Sequence, residues 1–119
     1  MKKNEVERVK PITIRNKATS EEYVLEFDKE SVKFAEDRGF RLADLDNFPM
    51  SKIPEFFFYA FRKHHKNVAR NKTDKILEED LGGVSSKLMQ RLIELYSQPF
   101  EEMVADEEAP KNPDMEIDL

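Results

Sequence analysis

The stretch that most restricts how this chain can fold is residues 56–66, FFFYAFRKHHK. Five of the six residues from 56 to 61 are aromatic, and such large rings stabilise a fold chiefly when they are removed from water. A basic segment with the chain's only two histidines follows directly. The stretch is therefore a candidate for a core helix, a metal site, a nucleic-acid surface or an interface with another protein.

The residues before the aromatic run predict where its helix begins. Ser51 is a favoured N-cap, Pro54 fits within a first turn, and Glu55 suits the positive end of the helix dipole. We expect a helix from about Lys52 to His65.

Helical spacing places most of the apolar side chains of this helix on one side. That stripe consists of Ile53, Phe56, Phe57, Ala60, Phe61 and His64. Phe58 and Tyr59 fall outside it and make the helix apolar around most of its circumference. Such a helix is either covered on two sides within its own domain or shares one side with another chain.

Two segments upstream alternate apolar and polar residues, which is the pattern of half-buried strands. Ile12 and Ile14 alternate in KPITIRN, and Tyr23, Leu25 and Phe27 alternate in EYVLEF. The polar link NKATSEE between them predicts an antiparallel hairpin. A lone hairpin is only marginally stable, so a helix should pack on one of its faces.

The segment after the hairpin changes to helical signals. Asp28 is an N-cap and Gly39 a left-handed stop for a short helix. LADLDNFP then predicts a compact turn whose Leu42, Leu45 and Phe48 fold back onto the core.

Two more helices are expected after the aromatic one. In NKTDKILEEDLGG, Asn71 or Thr73 is the predicted cap, and the glycine pair is the predicted end. In SSKLMQRLIELYSQPFEEMV, one of the opening serines caps the helix, and Pro99 should kink or end it because its ring clashes with the preceding turn.

Length and charge fix the domain organisation. Of the 119 residues, 38% are charged, and there is no cysteine, which excludes disulfides and thiol chemistry. Residues 1–104 contain 19 Lys and Arg and 19 Asp and Glu, so their charges balance. Residues 105–119 contain one Lys and six Asp and Glu. We expect a flexible arm at 1–9, a single α+β domain at 10–104 with an N-terminal β-hairpin packed on a small bundle of about four α-helices, and a disordered acidic tail at 105–119.

Metal binding and catalysis are not favoured by the residue pattern. His64 and His65 are adjacent, so on a helix they point roughly 100° apart, whereas helical metal pairs use i, i+3 or i, i+4 spacing. Ser85 and Ser86 lack a nucleophile motif, and the carboxylates at 78–80 fan around a helix instead of converging. We expect a protein without catalytic, metal or cofactor-binding residues.

A basic patch follows the aromatic run and gives the main alternative. The fourteen residues from 62 to 75 contain six lysines and arginines but only one carboxylate, Asp74. The six cations are Arg62, Lys63, Lys66, Arg70, Lys72 and Lys75. Such cations can bind phosphates, so a small nucleic-acid-binding regulator is the alternative function. The isoelectric point near 5.2 and the lack of an RNA- or DNA-binding signature make a protein partner the better interpretation.

The order of several phrases over residues 21–100 resembles a known family. YVLEFDKESVKFAEDRGF, FPMSKIPEFFFYAFRKHHKN, NKTDKILEEDLGG and MQRLIELYSQPF together are similar to the tail assembly chaperones of long-tailed phages and prophages of Gram-positive bacteria. The resemblance implies a protein that keeps the tape measure protein soluble and recruits tail tube subunits. It implies action in the bacterial host cytoplasm and absence from the mature virion.

The client surface is predicted from the residues, since the resemblance specifies no contacts. An accessible apolar face with a charged rim suits a long helical client. The predicted protein-binding residues are Phe57, Phe58, Tyr59, Phe61, Arg62, Lys63, Lys66 and Arg70. Self-association is left open, and no membrane contact is expected, because no window approaches the roughly 20 apolar residues of a membrane span.

Overall fold

The computed structural model describes residues 8–104 and 111–119. A two-stranded antiparallel hairpin is followed by five α-helices, so the predicted α+β class is confirmed. The elements are β1 (Ile12–Arg15), β2 (Glu22–Leu25), α1 (Lys29–Asp37), α2 (Asp44–Asn47), α3 (Pro49–Tyr59), α4 (Arg70–Lys75), a π-helical segment (Ile76–Asp80) and α5 (Ser86–Met103). Residues 111–119 contain no helix or strand and are all exposed, and residues 105–110 of the predicted tail lie outside the described residues.

The hairpin has the predicted strands, and its loop is fixed by a side chain. Ile12 pairs with Leu25 and Ile14 with Tyr23, so all four of these side chains lie on one face of the sheet. Asn16 Oδ1 accepts the N–H groups of the second and third residues after it, which shapes the turn locally.

The outer edge of β2 is covered by the connection between α3 and α4. The N–H of Val24 donates to His65 Nε2 at 2.9 Å, and the N–H of Glu26 donates to the carbonyl of Ala60 at 3.0 Å. These two bonds satisfy groups that an edge strand would otherwise leave unpaired.

The first helix begins and ends where the sequence predicts. Asp28 caps α1 by accepting from the Ser31 N–H at 2.8 Å, and the Ser31 hydroxyl accepts from the Asp28 N–H at 2.9 Å, which completes a capping box. Gly39 follows with φ +87°, the left-handed conformation expected of a C-terminal stop. In the turn that follows, Leu45 is buried, as predicted. Phe48 is 61% exposed, so the prediction that its side chain packs onto the core is wrong.

The aromatic helix is shifted from its predicted bounds. It begins at Pro49, so Ser51 lies inside it and is not its cap, and it ends at Tyr59 instead of near His65. The backbone tightens here, because the N–H of Phe61 bonds the carbonyl three residues before it at 3.1 Å. The carbonyl of Ala60 accepts from the hairpin, and the chain leaves the helix.

The glycine pair ends the next helical stretch as predicted, but the predicted cap is wrong. Ala69 precedes α4 without a side-chain cap, and Thr73 is buried within the helix, with its hydroxyl donating to the Arg70 carbonyl at 2.9 Å. After the π-helical segment, Gly82 and Gly83 adopt φ of +72° and +112°.

The last helix runs through its proline. Ser85 caps α5 by accepting from the Leu88 N–H, as predicted, but the helix continues past Pro99 to Met103. Packing outweighs the cost of the proline, since Pro99 is buried and the N-terminal segment lies along this part of the helix. The N–H of Val9 donates to the side chain of Gln98 at 2.8 Å.

The N-terminal segment is therefore ordered where the structure describes it. Arg8 forms an ion pair with Glu102, and Arg91 donates to the carbonyl of Lys10 at 3.2 Å. The predicted flexible arm at 1–9 has its last two residues against α5, and the remainder lies outside the described residues.

A stack of aromatic rings forms the centre of the core. Phe56 lies between Phe27 and Phe40, at centroid distances of 5.5 and 5.2 Å and interplanar angles of 15° and 8°. Tyr96 of α5 meets all three rings edge-on at 4.9–5.7 Å. The hairpin, α1, α3 and α5 are thereby joined through one cluster.

Candidate protein-binding surface

The aromatic residues predicted to bind a partner lie mostly in the core. Phe57 and Phe61 are 1% exposed and Tyr59 is 3% exposed, while Phe58 is half-buried. Phe61 packs on Tyr23 of the hairpin at 5.5 Å, so the hairpin covers one side of the aromatic run.

The other side of the aromatic helix is covered by α1. Phe34 meets Tyr59 edge-on at 5.9 Å, and Phe40, just after α1, meets Tyr59 at 5.7 Å. The prediction that Tyr59 is a surplus aromatic outside the core is therefore wrong. Of the two explanations for an all-round apolar helix, cover by other elements of the same chain is the one observed.

The hydroxyl of Tyr59 is satisfied within the same helix. It donates to Glu55 Oε2 at 2.5 Å, and Lys52 Nζ lies 3.0 Å from the other oxygen of that carboxylate. Burial, together with the Glu55 carboxylate, raises the pKa of Tyr59 far above its ordinary value. The hydroxyl is thus a protonated donor that lets a polar residue be buried.

Arg62 packs against an aromatic ring. Its guanidinium lies 3.7 Å from the centroid of the Phe34 ring, and the guanidinium of Arg38 lies 3.6 Å from the same centroid. Within the described residues, no hydrogen-bond partner faces the buried Nε of Arg62. Arg62 thus joins the α3–α4 connection to α1 through a cation–π contact.

The other cations of the predicted basic patch are paired with carboxylates of the same chain. Three of these carboxylates belong to the hairpin and α1, and the others follow in or after α4. The pairs are Lys63–Glu26 at 3.2 Å, Lys66–Glu30 at 3.7 Å, Lys72–Glu21 at 3.7 Å, Arg70–Asp74 at 2.9 Å, and Lys75 with Glu79 at 3.9 Å and Asp80 at 3.7 Å. The segment is basic in sequence but locally neutralised in space.

Glu26 is the carboxylate in this network that contacts two basic side chains. His64 Nε2 lies 2.8 Å from one of its oxygens, and Lys63 Nζ approaches the other. Burial alone would raise the pKa of Glu26, but the hydrogen bonds and charges of His64 and Lys63 outweigh burial and lower the pKa below its ordinary value.

His65 is a structural hydrogen-bond acceptor. Because a backbone N–H can only donate, the Nε2 that accepts from Val24 carries no proton, and the neutral ring is protonated at Nδ1. Burial, with the neighbouring His64, lowers the pKa of His65 and favours this neutral form. The adjacent histidines therefore have different roles, and sequence spacing gave no sign of the bond to Val24.

An apolar groove lies between α3 and α5, away from the predicted surface. Its volume is about 530 Å³, and its apolar lining comes from Ile53, Val84, Met89 and Ile93. Ser85, Ser86, Gln90 and Glu94 line the rest of the groove. Met50, one turn before Ile53, is 89% exposed.

The sequence contained a signal for this groove. Met89 and Ile93 are four residues apart on α5 and border the buried stripe of Leu92, Leu95 and Tyr96, so the apolar surface of this helix is wider than its buried part. An apolar surface wider than one buried stripe is also what drew attention to α3, and on α5 the residues at its margin stay partly exposed.

The end of α5 carries a second set of exposed apolar side chains. Phe100, Met103 and Val104 are exposed. Phe100 borders a hollow of about 330 Å³ whose apolar lining includes Val32 and Leu42. The two apolar surfaces thus lie along the same helix.

Comparison with known proteins places the chain in a family of unassigned function. No helix among the described residues is long and apolar enough to cross a membrane, and within them no three His, Asp or Glu side chains are grouped to hold a metal ion. No curated protein and no solved structure matches the chain. A family model matches residues 1–119, and the chain belongs to that family, the domain of unknown function DUF5055.

Proposed function

We propose that this protein is a phage tail assembly chaperone that binds the tape measure protein in the bacterial host cytoplasm and helps recruit tail tube subunits. The apolar groove between α3 and α5 is the observation that carries the proposal. It replaces the aromatic run as the client surface, because the rings of that run are occupied by the core.

The groove has the chemistry that an apolar helix requires. An amphipathic helix binds by inserting side chains at i, i+3, i+4 and i+7 into a hydrophobic groove. Ile53 and Met89 come from different helices and give the groove two apolar walls. The flexible side chain of Met89 in the groove lining can adapt to different residues of a long client, which suits binding without a fixed register.

The polar residues beside the groove favour reversible binding. Gln90 Nε2 donates to Glu94 at 3.4 Å, and both residues border the apolar lining. A small apolar contact with a polar rim gives weak single-site affinity, while many copies along one client add avidity.

Co-expression with a tape measure protein tests the proposal. We expect wild-type protein to keep the client soluble, and Met89→Lys to abolish this effect while leaving the circular dichroism spectrum unchanged. Met103→Lys is the matched control, since Met103 is an exposed methionine on α5 outside the groove lining.

The outcomes separate the surface from the function. If Phe58→Ser with Arg62→Glu removes client solubility and the groove variant does not, the groove is the wrong surface. If wild-type protein leaves the client insoluble, the chaperone function is wrong. Mass spectrometry of purified phage particles should find no copies of this protein, since we propose that it acts only during assembly.

The nucleic-acid alternative has less support from the charge arrangement. Lys63, Lys66 and Lys72 already lie 3.2–3.7 Å from carboxylates of the same chain, so phosphates would compete with these ion pairs. A filter-binding titration checks it: tight binding at low salt that falls steeply as salt rises would favour a nucleic-acid-binding regulator over the chaperone.

A further inference from the structure

The outer edge of β1 is open. Alternate residues of an antiparallel pair direct their N–H and C=O groups outward, and the bond from Val24 to His65 identifies Val24 as one of them. Its partner Thr13, and Arg15 two residues later, therefore direct their backbone groups away from β2. Among residues 8–104 and 111–119, none hydrogen-bonds to these outward groups.

This edge suits a short added strand. Pro11, two residues before Thr13, also directs its backbone away from β2. Because proline has no N–H to donate, it limits pairing at the start of β1. Thr13 and Arg15 leave two N–H and two C=O groups for a partner. A partner strand of about four to six residues would satisfy them.

The C-terminal segment Asp114–Leu119, DMEIDL, has the pattern of such a strand. Met115, Ile117 and Leu119 alternate with three acidic residues, so an extended backbone places the apolar side chains on one face and the carboxylates on the other. All three apolar side chains are exposed.

The two faces of this segment match the two faces of β1. Next to Ile14, a groove of about 530 Å³ lies between the hairpin and the π-helical segment, and Leu81, which lines it, is 40% exposed. The apolar side chains of the added strand would cover Ile14 and Leu81. Its carboxylates would lie on the opposite face, which carries Thr13 and Arg15.

The charges around β1 also favour an acidic strand. Lys10 and Lys17 flank the strand, and neither forms an ion pair with another described residue. Opposite charges at both ends of an added strand would guide its register and increase its association rate at low salt.

We propose that the C-terminal segment of a second copy of this chain adds to the free edge of β1 as a third strand. A second copy is the occupant because residues 111–119 are exposed in the isolated chain and none of them bonds to its own β1. Two copies that exchange these segments form a closed twofold dimer, in which each edge is paired. This inference does not depend on the proposed chaperone function.

Substitutions in the full chain test the exchange without touching the core. Light scattering after size exclusion should show a dimer for wild type at high concentration and a monomer for Ile117→Glu. Lys10→Glu with Lys17→Glu should also be monomeric at low salt, and an equimolar mixture of these two variants should restore a dimer. In that mixture, the Ile117→Glu chain accepts the segment supplied by the charge-reversed chain. Glu116→Gln is the control, because it keeps the apolar face intact, and it should remain dimeric.

Hydrogen exchange locates the contact. The amides of Thr13 and Arg15 should exchange at least tenfold more slowly in the dimer than in Ile117→Glu, with protection that increases with protein concentration. A wild-type monomer at all concentrations would overturn the proposal. So would protection that does not depend on concentration, which indicates docking within one chain, or a dimer that persists in Ile117→Glu, which indicates another interface.

Discussion

Replacing His65 with phenylalanine tests whether this histidine holds the edge of the sheet. Phenylalanine keeps an aromatic ring against Tyr23, whose centroid lies 5.2 Å from that of His65, but removes the acceptor for the Val24 N–H. Leaving a buried donor unpaired costs about 1–3 kcal/mol. Because Val24 is only half-buried, we expect a loss of about 1–2 kcal/mol in the free energy of unfolding.

The pH dependence gives the same variant a second test. Since folding lowers the pKa of His65, the unfolded chain binds more protons as pH falls below about 6.5. The contribution of neutral His65 to the free energy of unfolding is therefore complete above that pH, and it decreases as the pH falls toward the folded-state pKa of His65. His65→Phe removes this titration, so the difference in stability between wild type and variant should be larger at pH 7.5 than at pH 5.5.

Urea unfolding followed by circular dichroism at the two pH values measures both effects. His64→Ala is the matched control, because His64 is exposed, contacts Glu26 and makes no bond to the sheet edge. Its cost should be at most about 1 kcal/mol. Equal stability of wild type and His65→Phe at pH 7.5, or a difference that grows at pH 5.5, would refute the reasoning.

Three further substitutions test other parts of the fold by urea unfolding. Phe40→Ala should cost about 3–5 kcal/mol, because it removes a ring stacked on Phe56, and a loss below about 1 kcal/mol would contradict the ring stack. Asp28→Ala should cost about 1 kcal/mol by removing the acceptor for the Ser31 N–H, whereas an unchanged midpoint would mean that the cap is dispensable. Glu26→Gln should make the free energy of unfolding less sensitive to acid. Because folding lowers the pKa of Glu26, its carboxylate stabilises the fold above pH 4.5 and loses this effect as pH falls through the folded-state pKa. If the free energy of unfolding of the variant depends on pH between about 5 and 3 as in wild type, the result would count against the ion-pair network.

The features that the sequence predicted correctly depend on neighbours a few residues apart. Asp28 caps a helix through a residue three positions later, and Gly39 ends it through its own backbone conformation. Ser85 acts in the same local way, and the alternation of Ile12 and Ile14 defines a strand. Such signals are visible without knowing the rest of the fold.

The errors arise where distant residues decide the outcome. The aromatic helix ends early where the carbonyl of Ala60 accepts from Glu26, 34 positions earlier. Pro99 stays inside α5, where Val9 packs along the helix from the other end of the chain. Helix propensity and spacing carry no information about these contacts.

The candidate surface was the hardest feature to predict for the same reason. The lysines after the aromatic run look like a free basic patch in sequence, but Glu21, Glu26 and Glu30 neutralise three of them from the hairpin and α1. The aromatic run was correctly predicted to be the central helix, whereas the open groove follows from how Ile53 and Met89 meet across two helices.

The buried tyrosines give this protein a built-in optical signal. The chain has three tyrosines and no tryptophan, so its near-ultraviolet absorbance comes mainly from phenol rings. Burial raises the pKa of Tyr96 to about 12, and that of Tyr59 lies higher still, whereas a solvated phenol ionises near pH 10. Phenolate absorbance from Tyr59 and Tyr96 near pH 10, below their folded-state pKa values, therefore reports that the core has opened, without any label attached.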